Sequence, residues 1–505
     1  MASSLTKDSA STTGSEKTFF GHPRGLATLF MTEMWERFSY YGMRALLVYY
    51  LVSGGADAAT GAQGGGLAMR ATTATAIYSV YVSMVYLMAM PGGWFGDRVW
   101  GARKTVTIAG FVIMSGHLAL ALPGQAPFFA GLVLVAVGSG LLKANISTMV
   151  GHLYEGPDDP RRDGGFTVFY MGINLGAFAA PLVIGTVGKE HNWHLGFALA
   201  ALGMALGLAQ FLLGTKHLDP KSSLVPNPLS AEERKGVLTK VAAVVAALAV
   251  FYGVVVALGA YTLNWALVPL TLAGLIIPIA VLVRIKRDKD LSTTEQSKMN
   301  GYIWLFVAAA VFWMIYDQGG STLSLFADAK TTDNVGGIHF SATWYQSLNP
   351  LFVMALAPVF AWLWLWLARK NQEPNTIVKF AMGLVIIGAS FFVFIVPMNM
   401  AGDGKVSPMW LVSIYMIQTI GELCLSPVGL SVTTKMAPQK YASQMMGVWF
   451  LAVTAGDCFT GLLSLAGVSL DGLGIIAMEA SMAAVAGLAI YMYRKNVKAL
   501  MGGVH

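Results

Sequence analysis

The feature that most constrains this chain is a succession of about fourteen apolar segments of roughly 20 residues or more, each long enough to cross a hydrocarbon layer about 30 Å thick. They begin near Gly25, Thr72, Lys104, Pro127, Gly165, Trp193, Gly236, Asn264, Met299, Ser341, Pro374, Ser407, Tyr441 and Asp471. Only 12% of the 505 residues are charged while 55% are hydrophobic, and the mean hydropathy is +0.61. Those values exclude a soluble domain of this length. An all-α polytopic membrane protein is expected, and an even number of spans places both termini on one side of the bilayer.

The basic residues orient it. Cytoplasmic loops carry an excess of Lys and Arg, and most of the 33 here fall in the tails and even-numbered loops, among them Arg98, Arg103, Lys104, Arg161, Arg162, Arg284, Lys286, Arg287, Arg369 and Lys370. Arg70, Lys189, Lys330 and Lys405 fall on the opposite side, so both termini are expected in the cytoplasm. The net charge of +7 then reflects topology, and no nucleic-acid partner is expected. Residues 1–24 read as a polar cytoplasmic tail without a signal-peptide core, and 498–505 as a second tail. Cys424 and Cys458 lie in spans and are expected to pack there. The Pro-rich stretch 216–235 separates six spans (25–215) from a bland hairpin (236–286) and six further spans (287–497). This layout predicts two pseudo-symmetric bundles with an inserted hairpin, and solute sites in such proteins lie between the repeats near mid-membrane.

The first span carries Glu33, Glu36, Arg37, Tyr40 and Arg44 within roughly a third of the helix circumference. Facing lipid, each charge costs on the order of 3 kcal/mol, so the stripe should face a wet internal cavity. Lys143, after Gly138-Ser139-Gly140, either snorkels to an interface or adds a cavity cation. In the second half, Asp317 and Glu422 stand inside spans, each as a cavity carboxylate or a helix-packing acid, and Pro427 is expected to break the helix beyond Glu422. Asp457 and Glu479 sit in no motif and are expected to be structural.

The signs are partitioned. The three intramembrane cations belong to the first half and Asp317 and Glu422 to the second, so a cleft between the halves would have a positive and a negative wall. Arg grips carboxylates bidentately, which makes the cleft a match for a zwitterion such as an amino acid or short peptide. Tyr40, Tyr41, Tyr86, Trp313 and Trp449 would line tolerant side-chain pockets, or fill core. No phosphate-binding Gly-x-x-x-x-Gly-Lys motif is present, so coupling is expected to be ionic, with protons on buried carboxylates as the natural ion and no cofactor or metal. An intramembrane enzyme using Glu33 and Glu36 is a weak rival, since no nucleophile arrangement accompanies them and His117 stands alone.

Three motifs carry a family resemblance. Glu33-Met-Trp-Glu36-Arg37-Phe38-Ser-Tyr40-Tyr41-Gly42 is similar to the E-x-x-E-R-F-x-Y-Y-G signature of the proton-coupled oligopeptide transporters, a branch of the major facilitator superfamily. Gly92-Gly93-Trp94-Phe95-Gly96-Asp97-Arg98-Val99-Trp100-Gly101 and the Phe166–Phe178 stretch with Phe169-Tyr170-Met171-Gly172-Ile173-Asn174-Leu175-Gly176 also resemble that family, in the same order. The resemblance implies a major facilitator fold of twelve core helices plus an inserted pair, in a bacterial cytoplasmic membrane. It implies import of di- and tripeptides by proton symport, with no obligate protein partner. It further implies that Arg37, Arg44 and Lys143 hold the peptide carboxylate, with Tyr40, Tyr41, Tyr86 and Asn174 nearby; that Glu422, with Asn349, receives the ammonium; and that Trp313 and Trp449 line pockets. Glu33, Glu36 and Asp317 would handle the proton, and Arg44–Asp317 and Lys143–Glu422 would be gating salt bridges. The Asp97–Lys104 stretch resembles the superfamily's loop motif, with Asp97 expected to cap or pair across the halves. Uptake of nitrate, amino acids or a peptide-like solute, and a solute-sensing transceptor, are the alternatives.

Overall fold

Among the residues described by the computed structural model, 18–54, 65–155 and 159–502, fourteen long helices carry the fold. Residues 1–17 and 503–505 of the two expected tails lie outside the described residues. The first six are α1 (Gly25–Val52), α2 (Ala71–Trp100), α3 (Ala102–Leu120), α4 (Gln125–His152), α5 (Arg162–His191) and α6 (Trp193–His217). The hairpin is α7 (Ala231–Ala257) and α8 (Asn264–Lys286). Then follow α9 (Thr293–Lys330), α10 (Ala342–Arg369), α11 (Thr376–Ala401), α12 (Met409–Met436), α13 (Ala442–Leu465) and α14 (Leu473–Met492), with a short α15 (Arg494–Leu500). Twelve are long and apolar enough to cross a membrane by composition; α1, with its charged stripe, and the 19-residue α3 complete the set.

Helices α1–α6 form one bundle, with α1 against α5 and α6 and α3 against α4; α9–α14 form the other, with α11 against α12 and α14. The bundles meet where α2 packs on α13 and α5 on α10. The hairpin touches this body through α8, which packs on α13, while α7 is exposed along nearly its whole length. Both described ends of the chain lie on one face, which we call the near face: Gly25 abuts His217 at the end of α6, and Gly502 abuts Lys298 at the start of α9.

Three local features depart from expectation. Helix α7 starts at Ala231, ahead of the expected Gly236, because Ser230 caps it and Glu233 reciprocates, a capping box laid over the polar stretch. Helix α12 runs unbroken through Pro427, since neighbouring helices absorb the single lost backbone bond. The interruption falls instead in α9, where Asp317–Gly320 tightens into a 3₁₀ turn. The loop motif pins the linker rather than the two bundles: Asn227 and Leu229 donate backbone N–H bonds to the carbonyls of Asp97 and Arg98 at 3.0 and 3.2 Å. Arg98, not Asp97, makes the side-chain pair, with Glu233 at 2.8 Å. On the same face Lys440 pairs with Asp288 at 2.7 Å and Asp290 at 2.6 Å, and this ammonium, with the Tyr441 hydroxyl, holds the Asp288 carboxyl below the usual carboxylate range.

Direct bonds between the bundles concentrate toward the opposite, far face. Tyr49 Oη donates to the Ser324 carbonyl at 2.9 Å, Ser347 Oγ to that of Phe178 at 2.8 Å, and Lys189 pairs with Asp328 at 2.6 Å. A π-helical turn at Pro181–Gly185 frees the Pro181 carbonyl to accept from Thr343 Oγ1 at 3.2 Å. Midway, Thr454 and Cys458 of α13 meet Ser83 of α2. In the near half no hydrogen bond or ion pair among the described residues joins the two bundles. Polar bonds between the bundles therefore latch the far face, while in the near half the described contacts between them are apolar, as where Gly447 of α13 meets Met90 of α2.

Candidate functional site

Helix α1 brings its charges inward as its periodicity requires. Arg37 Nε lies 2.8 Å from Glu33 Oε1 and 2.7 Å from Glu36 Oε2, and all three side chains are at most 4% exposed. Ser139 of α4 donates to Glu36 Oε1 at 3.0 Å, and Arg37 Nη2 keeps no hydrogen-bond partner among the described residues. One turn on, Lys143 Nζ sits 3.8 Å from the Tyr86 ring centroid and 5.8 Å from that of Tyr40, and Glu36, Glu33 and Arg37 act on its charge. The lysine therefore belongs to the α1 charge group and does not snorkel.

The next level up α1 is the bundle crossing. Arg44 Nη2 lies 2.6 Å from Asp317 Oδ1, and its Nε donates to Tyr78 Oη at 2.5 Å. The 3₁₀ turn that interrupts α9 carries Asp317 here and is anchored from behind, where Gln318 Nε2 donates to the buried Glu479 Oε2 of α14 at 2.9 Å. Gly320 closes the same turn against Tyr78, whose hydroxyl occupies the space a Cβ would need, 1.8 Å away. The expected Arg44–Asp317 salt bridge is thus present.

The opposite wall is built from α9, α10 and α12. Glu422 accepts from Tyr316 Oη at 2.8 Å and from Asn349 Nδ2 at 2.9 Å, and Asn349 also reaches Thr419 at 3.1 Å. Trp313 is half-buried, edge-on to Tyr316 at 4.9 Å, with Nε1 unpartnered. A cleft of about 1380 Å³ runs between α10 and α12, lined by Glu422, Phe360, Trp364 and, from the first bundle, Tyr170. Tyr41 stands edge-on to Tyr40 with ring centroids 5.2 Å apart, and the Arg44 guanidinium lies 5.8 Å from its ring centroid. Asn174 is buried on α5, donating to the Tyr170 carbonyl at 3.0 Å.

Two expected placements differ. Lys143 does not pair with Glu422: the ammonium lies over the Tyr86 ring and the carboxylate accepts from Tyr316 and Asn349. Trp449 is 2% exposed, packed on Gly429 and Phe380 inside the second bundle, and is not among the residues that line the cleft between α10 and α12. Conversely, Tyr78, Ser139, Tyr316 and Tyr170 join the site without a sequence signal of their own beyond adjacency to quoted runs.

A membrane protein of two six-helix bundles, latched at one face and enclosing oppositely charged walls at their interface, is a major facilitator-type transporter. The chain belongs to the POT family, which it matches over residues 103–467. It is 40% identical over 497 residues, 97% of this chain and 98% of the relative, to a di-/tripeptide transporter of Lactococcus lactis subsp. cremoris. It is 46% identical over 444 residues, 88% of this chain and 87% of the relative, to the uncharacterized transporter YclF of Bacillus subtilis (strain 168). The crystal structure of a peptide transporter POT in complex with sulfate superposes with a TM-score of 0.91 at 44% identity, covering 97% of this chain and 98% of that one.

Proposed function

We propose that this protein imports di- and tripeptides with protons by alternating access, across a bacterial cytoplasmic membrane with both termini cytoplasmic. The observation that carries the reading is that the buried Arg37 and the half-buried Lys143 stand on one bundle and the buried Glu422, held by Tyr316 and Asn349, on the other. A peptide carboxylate suits the cations, because charge-assisted hydrogen bonds are roughly twice as strong as neutral ones. Its ammonium suits Glu422, which Tyr316 and Asn349 hold in place while leaving lone pairs free. The near face is then the cytoplasmic one, and the structure is an inward-facing state in which the cleft beside Glu422 serves as the exit. Glu33, Glu36 and Asp317 are the groups whose protonation releases Arg37 and Arg44 from their ion pairs. The test is uptake by proteoliposomes with an inward proton gradient. Accumulation of labelled dialanine above equilibrium, competed by di- and tripeptides but not by nitrate or free alanine, supports the assignment; competition by nitrate or alanine alone overturns it.

A further inference from the structure

The ionisable inventory of the bundle interface does not balance. Apart from the Lys189–Asp328 pair at the far face, three cations, Arg37, Arg44 and Lys143, stand with five carboxyls, Glu33, Glu36, Asp317, Glu422 and Asp457. Four of these carboxyls are engaged by a cation or hydrogen-bond donors, as described above. Asp457 is 2% exposed, its Oδ2 has no hydrogen-bond partner among the described residues, and the charges acting on it are Asp317 and Arg44.

Its position is fixed from both sides. One residue earlier, Gly456 packs on the α9 backbone at Ala310 and Met314, and one residue later Cys458 Sγ meets Ser83 Oγ of α2 at 3.2 Å. Thr460 Oγ1 donates to the Met314 carbonyl at 3.3 Å. The groups facing it are Arg44 from α1, Tyr78 from α2 and Asp317 from α9; α12, which also packs on α13, carries Glu422, held by Tyr316 and Asn349, and Lys435 in its last turn. Helix α8, which packs on α13 at Gly274, carries its only charges in its last turn, Arg284 and Lys286, toward the near face. Two carboxyls therefore share one guanidinium. An unpaired ionised carboxylate in such surroundings costs several kcal/mol, so with Arg44 on Asp317 the second carboxyl stays neutral.

We propose that Asp457 and Asp317 form a carboxyl pair that holds one proton while Arg44 is docked and two when Arg44 withdraws, making Asp457 a second proton-carrying residue of the gate. The step balances: far-face opening removes one positive charge from the pair and loads one proton from the far side, and closure returns Arg44 to Asp317 and sends one proton out toward the near side. Such a pair titrates as a unit rather than as two independent acids. The proposal deepens the transport reading and rests on its alternating bundles, but not on the identity of the solute.

The deciding measurement needs no solute. In a full-length C424A/C458S background, Ser347→Cys, at a position buried in the bundle contact, is labelled by a maleimide added from the far side across pH 5–8. Far-face opening in the reference protein should increase as pH falls. D457N should shift that midpoint by at least half a pH unit, D457E should return it toward the reference, and D317N should keep a pH response that D317N/D457N loses. D457S is carried in parallel in case the amide does not fold. Superimposable profiles for the reference and either folded variant overturn the proposal, as does a D317N response unchanged by adding D457N. Absence of dialanine uptake by the wild type would count against the peptide assignment alone, because the labelling profile does not depend on it.

Discussion

Arg44 Nη2 and Asp317 Oδ1 stand 2.6 Å apart with 11% and 5% of their side chains exposed, joining α1 of one bundle to the 3₁₀ turn of α9 in the other. The pair is the innermost of the bonds that close the far face, and the only one in which a guanidinium spans the bundle interface among the described residues. Truncating one partner of a buried pair costs about 3–5 kcal/mol, and each 1.4 kcal/mol is about tenfold in an equilibrium. Added to the Ser347→Cys reference protein, R44Q should therefore raise far-side maleimide labelling at least about tenfold at neutral pH. A labelling rate equal to the parent's would remove this pair from the closure.

Glu36 differs from Glu33 in having a partner outside α1. Its Oε1 accepts from Ser139 while Oε2 faces Arg37. Glutamine preserves the shape and can still accept from Ser139 but cannot be ionised. E36Q should abolish proton-driven accumulation of peptide while counterflow exchange survives. Uphill accumulation at the wild-type level in E36Q would show that the proton passes elsewhere.

How much of this was legible in the sequence follows from which forces are local. The stripe on α1 was readable because charge in an apolar helix is rare and a 3.6-residue period fixes its face, and Asp317 and Glu422 stood out for the same reason. Tyr78, Ser139 and Tyr316 were not readable: tyrosine and serine are ordinary in such helices, and only docking of one helix on another decides which hydroxyl meets a charge. Lys143–Glu422 is a different case: the two side chains have other partners here, Tyr86 for the lysine and Tyr316 and Asn349 for the glutamate, and a sequence does not say which partners one conformation selects. The early start of α7 was available in Ser230 and Glu233 but hidden by reading hydropathy alone.

Glu422 is held by two neutral donors, Tyr316 and Asn349, and among the described residues no cation pairs with it. Replacing it by glutamine removes a charge-assisted bond to a substrate ammonium, worth about 1.5–3 kcal/mol. E422Q should raise KM for dialanine by about 10–100-fold. Competition by N-acetyl-dialanine, which lacks the ammonium, should change little. Y316F loses only a neutral donor and should cost about 2–10-fold. An equal loss for acetylated and free peptide would place the ammonium somewhere else.

Gly429 of α12 lies under the Trp449 indole, and a Cβ there would sit 2.0 Å from Cη2, with Phe380 backing the ring at 6.3 Å. The ring is rigid and 2% exposed, so it cannot yield as a flexible side chain would. Overpacking of this kind costs about 1–3 kcal/mol. G429A should lower the thermal unfolding midpoint in detergent, and G429A/W449L should recover most of the loss. If G429A unfolds at the parent temperature, the indole has room that this packing denies it.

Lys189 and Asp328 form a second latch at the far face, with 12% and 14% of their side chains exposed and a separation of 2.6 Å. Neither belongs to the proposed substrate or proton groups, so their effect on closure can be read without disturbing chemistry. Being nearer to water than Arg44–Asp317, the pair should contribute less, up to about 1 kcal/mol. In the Ser347→Cys reference protein, K189A should accordingly raise far-side labelling only a few-fold, and the effect should shrink in high salt, which screens partly exposed charges. The reversed pair K189D/D328K restores the opposite signs but not everything, because Lys189 Nζ also lies 5.2 Å from the Tyr49 ring centroid, a cation–π contact worth about 0.5–1 kcal/mol. Labelling in the reversed pair should therefore fall between K189A and the parent. A reversed pair as leaky as K189A would mean that the geometry around Tyr49, and not the attraction between the two charges, keeps this end of the bundles together.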